Sequence, residues 1–435
     1  MMRRFDSRAP GFAAVLDSLL AAPGDTDGEL MQTVTAIIDA VRKRGDEALV
    51  EYTNRFDNRS ISAVDLELDK EDVDKSAATV PREVLTALRS AAERIETFHR
   101  HQVASSWEFV DASGVRLGQK ITPIDRVGIY VPGGRAAYPS SVLMNAIPAR
   151  VAGVGEILMT VPAPNGALSP AVLAAARIAG VDRIFTVGGA QAIAALAYGT
   201  ATIPAVDKIV GPGNRYVALA KRLVYGQVGI DMIAGPSEVV ILTDGSADPD
   251  WVAMDMFAQA EHDEDARAFL ICDLPGFLDQ VAASISRLLP DMERAEIIGR
   301  SLRKNGALIG VKDLKEAAAI VNLIAPEHLE LYVTAPETAL QDIRHAGAVF
   351  LGSHAAEVLG DYCAGPNHVL PTARTARFSS ALGVYDFQKR ISILECSPES
   401  GADLGAIASV LARAEGLTAH ARAAEMRTGK YRSSS

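Results

Sequence analysis

The stretch RVGIYVPGG (126–134) is a short β-branched run that ends in a glycine turn. The pattern returns three times. EILMTV (156–161) precedes an alanine-rich segment near Pro170–Ala179, RIFTV (183–187) enters Gly188-Gly189-Ala190-Gln191, and VDKIV (206–210) enters Gly211-Pro212-Gly213-Asn214 and a helical segment to about Tyr225. Strand, turn and helix repeated in this way predict βαβ units, that is, a parallel sheet covered by helices. In such sheets the turns at the carboxyl ends of the strands bind ligands. The GPGN turn offers free backbone N–H groups to a phosphate, although glycine turns also serve simply to redirect an α/β chain. No GxGxxG fingerprint with a following acidic residue is present, so this pattern alone does not establish a dinucleotide site.

Working outward, SEVVILTD (237–244), RAFLICD (267–273), ALIGV (307–311), LELYV (329–333) and AVFLG (348–352) continue the alternation. The expected fold is α/β, with two Rossmann-like parallel-sheet domains, one inserted in the other, a helical N-terminal segment and a helix-rich C-terminal tail. We expect the helical segment at 1–25, one α/β domain from 26–129 and 238–382, an inserted α/β domain at 130–237, and a tail at 383–435. The tail opens on the extended piece YDFQKRISILEC and becomes helical from Leu404. Upstream, Leu30, Val34, Ile37, Ile38 and Val41 have helical spacing, broken at Gly45. A second helix is predicted from Pro81 to Gln102, with His99 and His101 read as surface residues.

At 435 residues the chain is too long for a single core. Its 49% hydrophobic and 22% charged composition is that of a soluble globular protein. A net charge of -11 gives no basic stripe for a phosphate backbone, so nucleic acid is not an expected partner. Cys272, Cys363 and Cys396 are too few and scattered for a disulfide framework or a CxxC metal site, which fits a reducing cytosol. The N-terminus reads as an amphipathic helix without a secretory cleavage site, and no run approaches the roughly 18 apolar residues of a membrane span.

Several polar clusters carry possible chemistry. In MFAQAEHDEDA (256–266), Gln259 and His262 stand at i, i+3, one face of a helix opened by Asp248 as N-cap and Pro249 at its first position. A surface histidine near a helix end is the plainer reading of that stretch alone. Glu327 and His328 adjoin in APEHL, where an imidazole and a desolvated carboxylate suit proton transfer near neutral pH. Glu357, Asp361 and His368 fall in a Gly/Pro-rich stretch suited to a site wall. Glu415 and His420, five apart, converge only if Gly416 bends the chain. One Gln, two His and one Asp form a nitrogen and oxygen donor set that suits Zn²⁺, and a weak amide ligand suits a metal that holds a substrate.

The motifs RVGIYVPGG, GGAQAIAALAYGT, VDKIVGPGN, AGPSEV, QAEHD, APEHLEL, GDYCAGPNHVLPT and EGLTAHA occur in the order of one family. Over nearly its whole length the chain resembles the histidinol dehydrogenases. The resemblance implies zinc- and NAD-dependent oxidation of L-histidinol, through L-histidinal, to L-histidine, the last steps of histidine biosynthesis, in the cytoplasm. It implies one zinc per subunit on Gln259, His262, Asp361 and His420, and an acid–base pair of Glu327 and His328. Substrate contacts are implied at Ser237, Glu357, His368 and Glu415, beside the metal ligands and His328, and cofactor contacts at Tyr130, Gln191 and Asn214. It also implies a homodimer in which the tail, with Glu415 and His420, completes the partner's site. A zinc and NAD dehydrogenase of another small polar alcohol, or a zinc hydrolase with Glu327 activating water, are the rival readings.

Overall fold

The computed structural model of the chain describes residues 2–20, 28–133 and 138–429, so Gly134 of the first glycine turn and residues 21–25 of the expected N-terminal segment lie outside it. Two compact units form, one from Met1–Gln102 and Ile124–Phe387, the other from Val103–Pro123 and Gln388–Ser435.

The chain opens with strand β1 (Arg3–Asp6), where the sequence predicts helix, and only then forms α1 (Phe12–Leu20). Helices α2 (Gly28–Arg44) and α3 (Asp46–Phe56) meet at Gly45, the expected break, whose φ of 57° favours glycine. After α4 (Lys70–Ala77) and α5 (Arg82–Arg100) come β2 (Trp107–Val110) and β3 (Arg116–Pro123). The first alternation is β4 (Arg126–Tyr130), α6 (Pro139–Ala152), β5 (Glu156–Thr160), α7 (Pro170–Ala179), β6 (Arg183–Phe185), α8 (Gly189–Tyr198), β7 (Lys208–Val210), α9 (Arg215–Val224) and β8 (Gly229–Ile230). The second is β9 (Glu238–Thr243), α10 (Pro249–Ala260), β10 (Arg267–Cys272), α11 (Pro275–Leu288), α12 (Ala295–Asn305), β11 (Ala307–Gly310), α13 (Leu314–Ile324), β12 (His328–Tyr332), α14 (Pro336–Leu340), β13 (Ala348–Leu351) and α15 (Glu357–Tyr362). The chain closes with β14 (Gln388–Glu395), α16 (Pro398–Ala414) and α17 (Thr418–Glu425).

Both alternations give parallel sheets of one topology. The first sheet runs β6-β5-β4-β7-β8, and the second runs β1-β11-β10-β9-β12-β13. Apart from the added edge strand β1, each set reverses direction beside its own first strand, the order of a doubly wound fold. Helices cover both faces of each sheet, so the strands read as continuous apolar runs.

On the first sheet, Val127, Ile129, Ile157 and Met159 pack against α5, α6 and α7, while Tyr130, Leu158, Phe185 and Ile209 pack against α2, α3, α8 and α9. The helices between 28 and 100 therefore cover the first sheet, where we expected residues 26–129 to join the second. An amphipathic stripe such as Val34, Ile37, Ile38 and Val41 shows that a helix has a partner, not which sheet it is. On the second sheet, Val239, Ile241 and Leu270 face α10, α11 and α12, and Val240, Leu242, Leu329 and Leu331 face α1 and α13.

The second unit is more than a tail. Strand β14 pairs antiparallel with β3 from Gln388 opposite Pro123 to Glu395 opposite Arg116, and β3 pairs with β2. Helix α16 begins at a capping box on Ser397 and Ser400, and Arg413 and Ser409 hold Glu425 of α17. Among the described residues no helix is long and apolar enough to cross a membrane.

Gly211 follows β7 with φ of 106°, and a Cβ there would lie 2.2 Å from the Tyr130 carbonyl oxygen of the neighbouring strand. Gly211→Ala is therefore expected to cost at least about 1–3 kcal/mol of stability in chemical denaturation. Gly276→Ala, where nothing lies within 4 Å of the added carbon, serves as the control and is expected to be near neutral. Equal stability of the two variants would contradict this packing of the first sheet's switch point.

Candidate active site

The polar residues of the second sheet gather at the amino ends of its strands. His328 is the first residue of β12, Glu238 the first of β9, and Ser237 immediately precedes it. The sequence led us to expect the carboxyl ends. Helix α10 explains the reversal: it starts after β9 at Asp248, whose side chain accepts the Asp250 N–H as predicted, and returns its last turn to the amino edge. There Gln259 is buried against His328. The helix ends at Ala260, so His262 lies just past it rather than on a shared helical face; its Nδ1 is 3.2 Å from the Gln259 carbonyl oxygen and its side chain is exposed.

Strand alternation sorts HLELY. Leu329 and Leu331 enter the apolar core, whereas His328, Glu330 and Tyr332 share the other face. Carboxylates surround the His328 ring: Nδ1 is 3.5 Å from Glu357 Oε1 and 3.8 Å from Glu327 Oε2, and Nε2 is 3.5 Å from Asp361 Oδ1. Nε2 is buried, and its contact with Asp361 is that of an ion pair rather than a directed hydrogen bond. The Gln259 amide fits best with its nitrogen toward Glu357, 3.2 Å from each carboxylate oxygen.

The electrostatics follow from burial and crowding. Burial pulls the His328 pKa down, but Glu357, Glu327 and Asp361 together outweigh it and hold it well above the ordinary value. Burial pushes Glu327 up to about 7, against the His328 charge and the Glu238 N–H that donates to it at 3.0 Å. Glu357 is raised well above a usual carboxylate, first by burial. Asp361 goes the other way: burial opposes ionisation, but His328, His368 and His262 keep it below its ordinary value.

His368, half-buried, places Nδ1 2.8 Å from the Asp361 carbonyl oxygen and Nε2 3.5 Å from Ser141 Oγ. Its loop is held by Asn367, which donates to the Met144 carbonyl at 2.6 Å and lies 3.4 Å from His99. His99 is fully buried and bonded to Ile95, contrary to the surface position we expected; the helix's apolar stripe, not its polar face, carries it. His101 is exposed, as expected.

Among the described residues, the group of His, Cys, Asp or Glu side chains that could hold a metal is His328, Glu357 and Asp361, with ligand atoms within 4.8 Å of one another. Of the expected zinc ligands Gln259, His262, Asp361 and His420, whose nitrogen and oxygen donors suit zinc chemically, Asp361 belongs to this group. His262 engages the Gln259 carbonyl through Nδ1, and Asp361 is held ionised. Glu415 caps α16 and His420 lies on α17, both exposed on the second unit.

At the first sheet, Tyr130 ends β4, and its buried hydroxyl accepts the Gly189 N–H at 3.1 Å. Asn214 follows β7 and caps α9, accepting from Tyr216 and Val217, while Gln191 is buried in α8 with Oε1 unpartnered. Strands β4 and β7 are neighbours where the order reverses, the position at which such sheets bind ligands.

Two acidic residues escaped the sequence reading. Glu238 is buried with its pKa pushed up to about 7 by burial, 3.2 Å from Arg267. Glu330 is buried below His328. The spacing of His328 and Glu330 on one strand face was the available signal.

A family model described as histidinol dehydrogenase matches residues 21–428. A relative from Aromatoleum aromaticum named histidinol dehydrogenase is 61% identical over 427 residues, covering 98% of each chain. One of the same name from Pseudomonas aeruginosa is 60% identical over 427 residues, covering 98% of this chain and 97% of its own. The crystal structure of histidinol dehydrogenase from Elizabethkingia anophelis superposes with a TM-score of 0.93 at 34% identity, covering 98% of both chains.

Because Glu327 titrates near 7 in the folded chain against an ordinary 4.5, the folded state binds its proton more tightly. The stability this contributes is fully present below about pH 4.5 and is lost as pH rises through about 7. In zinc-free protein, melting temperature is expected to fall between about pH 5 and about pH 8 more steeply for the wild type than for Glu327→Gln. Parallel profiles would contradict the burial of that carboxyl.

Proposed function

The chain belongs to the histidinol dehydrogenase family, and from that premise we propose that the buried cluster at His328 is where it oxidises L-histidinol, through L-histidinal, to L-histidine. It is an NAD-dependent oxidoreductase of histidine biosynthesis. One observation carries the placement: an imidazole buried among three carboxylates, with Nε2 left without a hydrogen bond beside a glutamate that titrates near 7.

In its neutral form His328 takes the carbinol proton at Nε2, and the carboxylates around the ring, which raise its proton affinity, stabilise the imidazolium that results. Glu327, with its pKa near the operating pH, moves the proton of the water that adds to the aldehyde. Its tie to the Glu238 N–H orients the carboxyl while burial keeps bulk water from competing. Ser237, Glu357, His368 and Glu415 hold the substrate's polar groups. Zinc bound by Gln259, His262, Asp361 and His420 supplies a fixed anchor for the substrate's nitrogens, and NAD⁺ supplies the hydride acceptor. Tyr130, Gln191 and Asn214, about the switch point of β4 and β7 on the first sheet, would hold the cofactor. We expect the first sheet to be the cofactor domain and the second to carry the zinc and acid–base residues.

The protein acts as a homodimer in which Glu415 and His420 enter the partner's site. Exposed Ile391 and Leu394 on β14, and Leu404, Ile407, Val410 and Leu411 on α16, support this, since an apolar face of that kind wants a cover. A cytoplasmic setting is supported by the free cysteines Cys272, Cys363 and Cys396. Neither a hydrolase nor another alcohol's dehydrogenase is favoured by any residue of the site.

Subunit mixing tests this reading. Glu327→Gln and His420→Asn are each expected to lower NADH formation from histidinol by about a hundredfold or more. Co-refolding the two variants restores about a quarter of wild-type activity, because half of the dimers are mixed and one site in each has both native residues. Activity that stays at the level of the single variants would contradict the shared site, and a fully active Glu327→Gln would contradict the assigned acid–base pair.

A further inference from the structure

Three elements carry the reacting groups at the second sheet: α10 brings Gln259, β12 brings His328, and α15 brings Glu357 and Asp361. Helix α15 has 6 residues, too few for its own hydrogen bonds to fix it. Its N-cap residue, Ala356, offers no side-chain acceptor to the orphan N–H groups of the first turn. The first of those N–H groups, that of Glu357, instead donates to Glu330 Oε1 at 2.8 Å, from a carboxyl that is fully buried on the His328 face of β12. Two residues further along the same face, the Tyr332 hydroxyl donates to Asp255 Oδ2 at 2.9 Å, and Asp255 lies one turn before Gln259 on α10. One strand face therefore holds both flanking helices through single, directed hydrogen bonds.

We propose that Glu330 is a positioning residue, which by accepting the Glu357 N–H fixes the start of α15 and so sets Glu357 and Asp361 against His328, while Tyr332 sets the Gln259 helix through Asp255. The inference rests on the proposed reading of the His328 cluster as the reacting site. The hydrogen bond that ties Glu330 to that site is accepted from the backbone of α15, beside its charge interaction with His328 and Glu357. Its other oxygen, Oε2, is buried without a partner, a cost that packing alone does not account for. What α15 requires is an acceptor oxygen at this position, not a charge. Glutamine supplies the oxygen, whereas leucine fills similar space without it.

The test compares zinc-loaded wild type, Glu330→Gln and Glu330→Leu by hydrogen–deuterium exchange and by NADH formation from histidinol. Glu330→Leu is expected to raise exchange in a peptide spanning 354–364 but not in one spanning 82–100, and to lower kcat by about tenfold to a hundredfold with an unchanged KM for NAD⁺. Glu330→Gln is expected to keep wild-type exchange and a kcat within about threefold. Leucine matching glutamine in both readouts would overturn the inference, as would glutamine losing as much as leucine, which would mean that the charge matters. If the leucine variant does not fold, Tyr332→Phe takes its place: raised exchange over 253–262 with a lowered kcat supports the inference, and unchanged exchange there overturns it. Wild type that makes no NADH from histidinol would sink the proposed function, and the exchange comparison would still decide the positioning role.

Discussion

His328 is buried among the carboxylates of Glu327, Glu357 and Asp361, whose oxygens lie 3.5 to 3.8 Å from its ring nitrogens. Placing so many ionisable groups out of water is costly unless they pair and find hydrogen-bond partners. The surrounding fold supplies both. Main-chain N–H groups of Glu238 and Glu357 donate to Glu327 and Glu330, and the imidazole supplies the charge that the carboxylates oppose. The same burial that makes the cluster expensive also moves the Glu327 proton affinity toward neutrality, where acid–base catalysis is most effective.

The two parallel sheets share a strand order but use opposite ends. In the first, Tyr130 and Asn214 stand at the carboxyl ends of adjacent strands, where glycine turns open helices. In the second, the buried polar cluster sits at the amino ends, because α10 carries Gln259 back along the sheet and β12 begins with His328. A fold that repeats its architecture need not repeat its site; which end is used depends on the loops and helix ends that bring polar groups there.

Much of this was legible in the sequence, for physical reasons that differ by element. Buried parallel strands such as EVVILT and RAFLIC are uninterrupted apolar runs, and their neighbours in the chain supply the turns, so both sheets could be read directly. Strand β1 could not, because its four residues are a strand only through pairing with β11, some 300 positions away. Strands β2 and β3 were missed although Trp107-Glu-Phe-Val has strand composition; β2 is exposed and pairs with β3, which in turn pairs with β14 from the far end of the chain. His99 was misjudged because His99 and His101, at i, i+2, share no helical face and were both read as surface residues, whereas His99 lies on the apolar stripe of α5. At the site, residue identities came from motifs, whereas their geometry did not: helix α10 stops between Gln259 and His262, and nothing local marks that stop. Glu330 was overlooked because alternation along β12 becomes informative only once the strand's start is known.

In the proposed mechanism one buried site removes four electrons from each substrate molecule with zinc in place. The most direct measurement is the ratio of NADH formed to L-histidinol consumed under limiting histidinol and excess NAD⁺, before chelation, after it, and after zinc is returned. Two NADH per histidinol, loss on chelation and recovery with zinc are expected. One NADH per histidinol would contradict the role given to Glu327 in the second oxidation, and no NADH from the zinc-loaded protein would contradict the account as a whole.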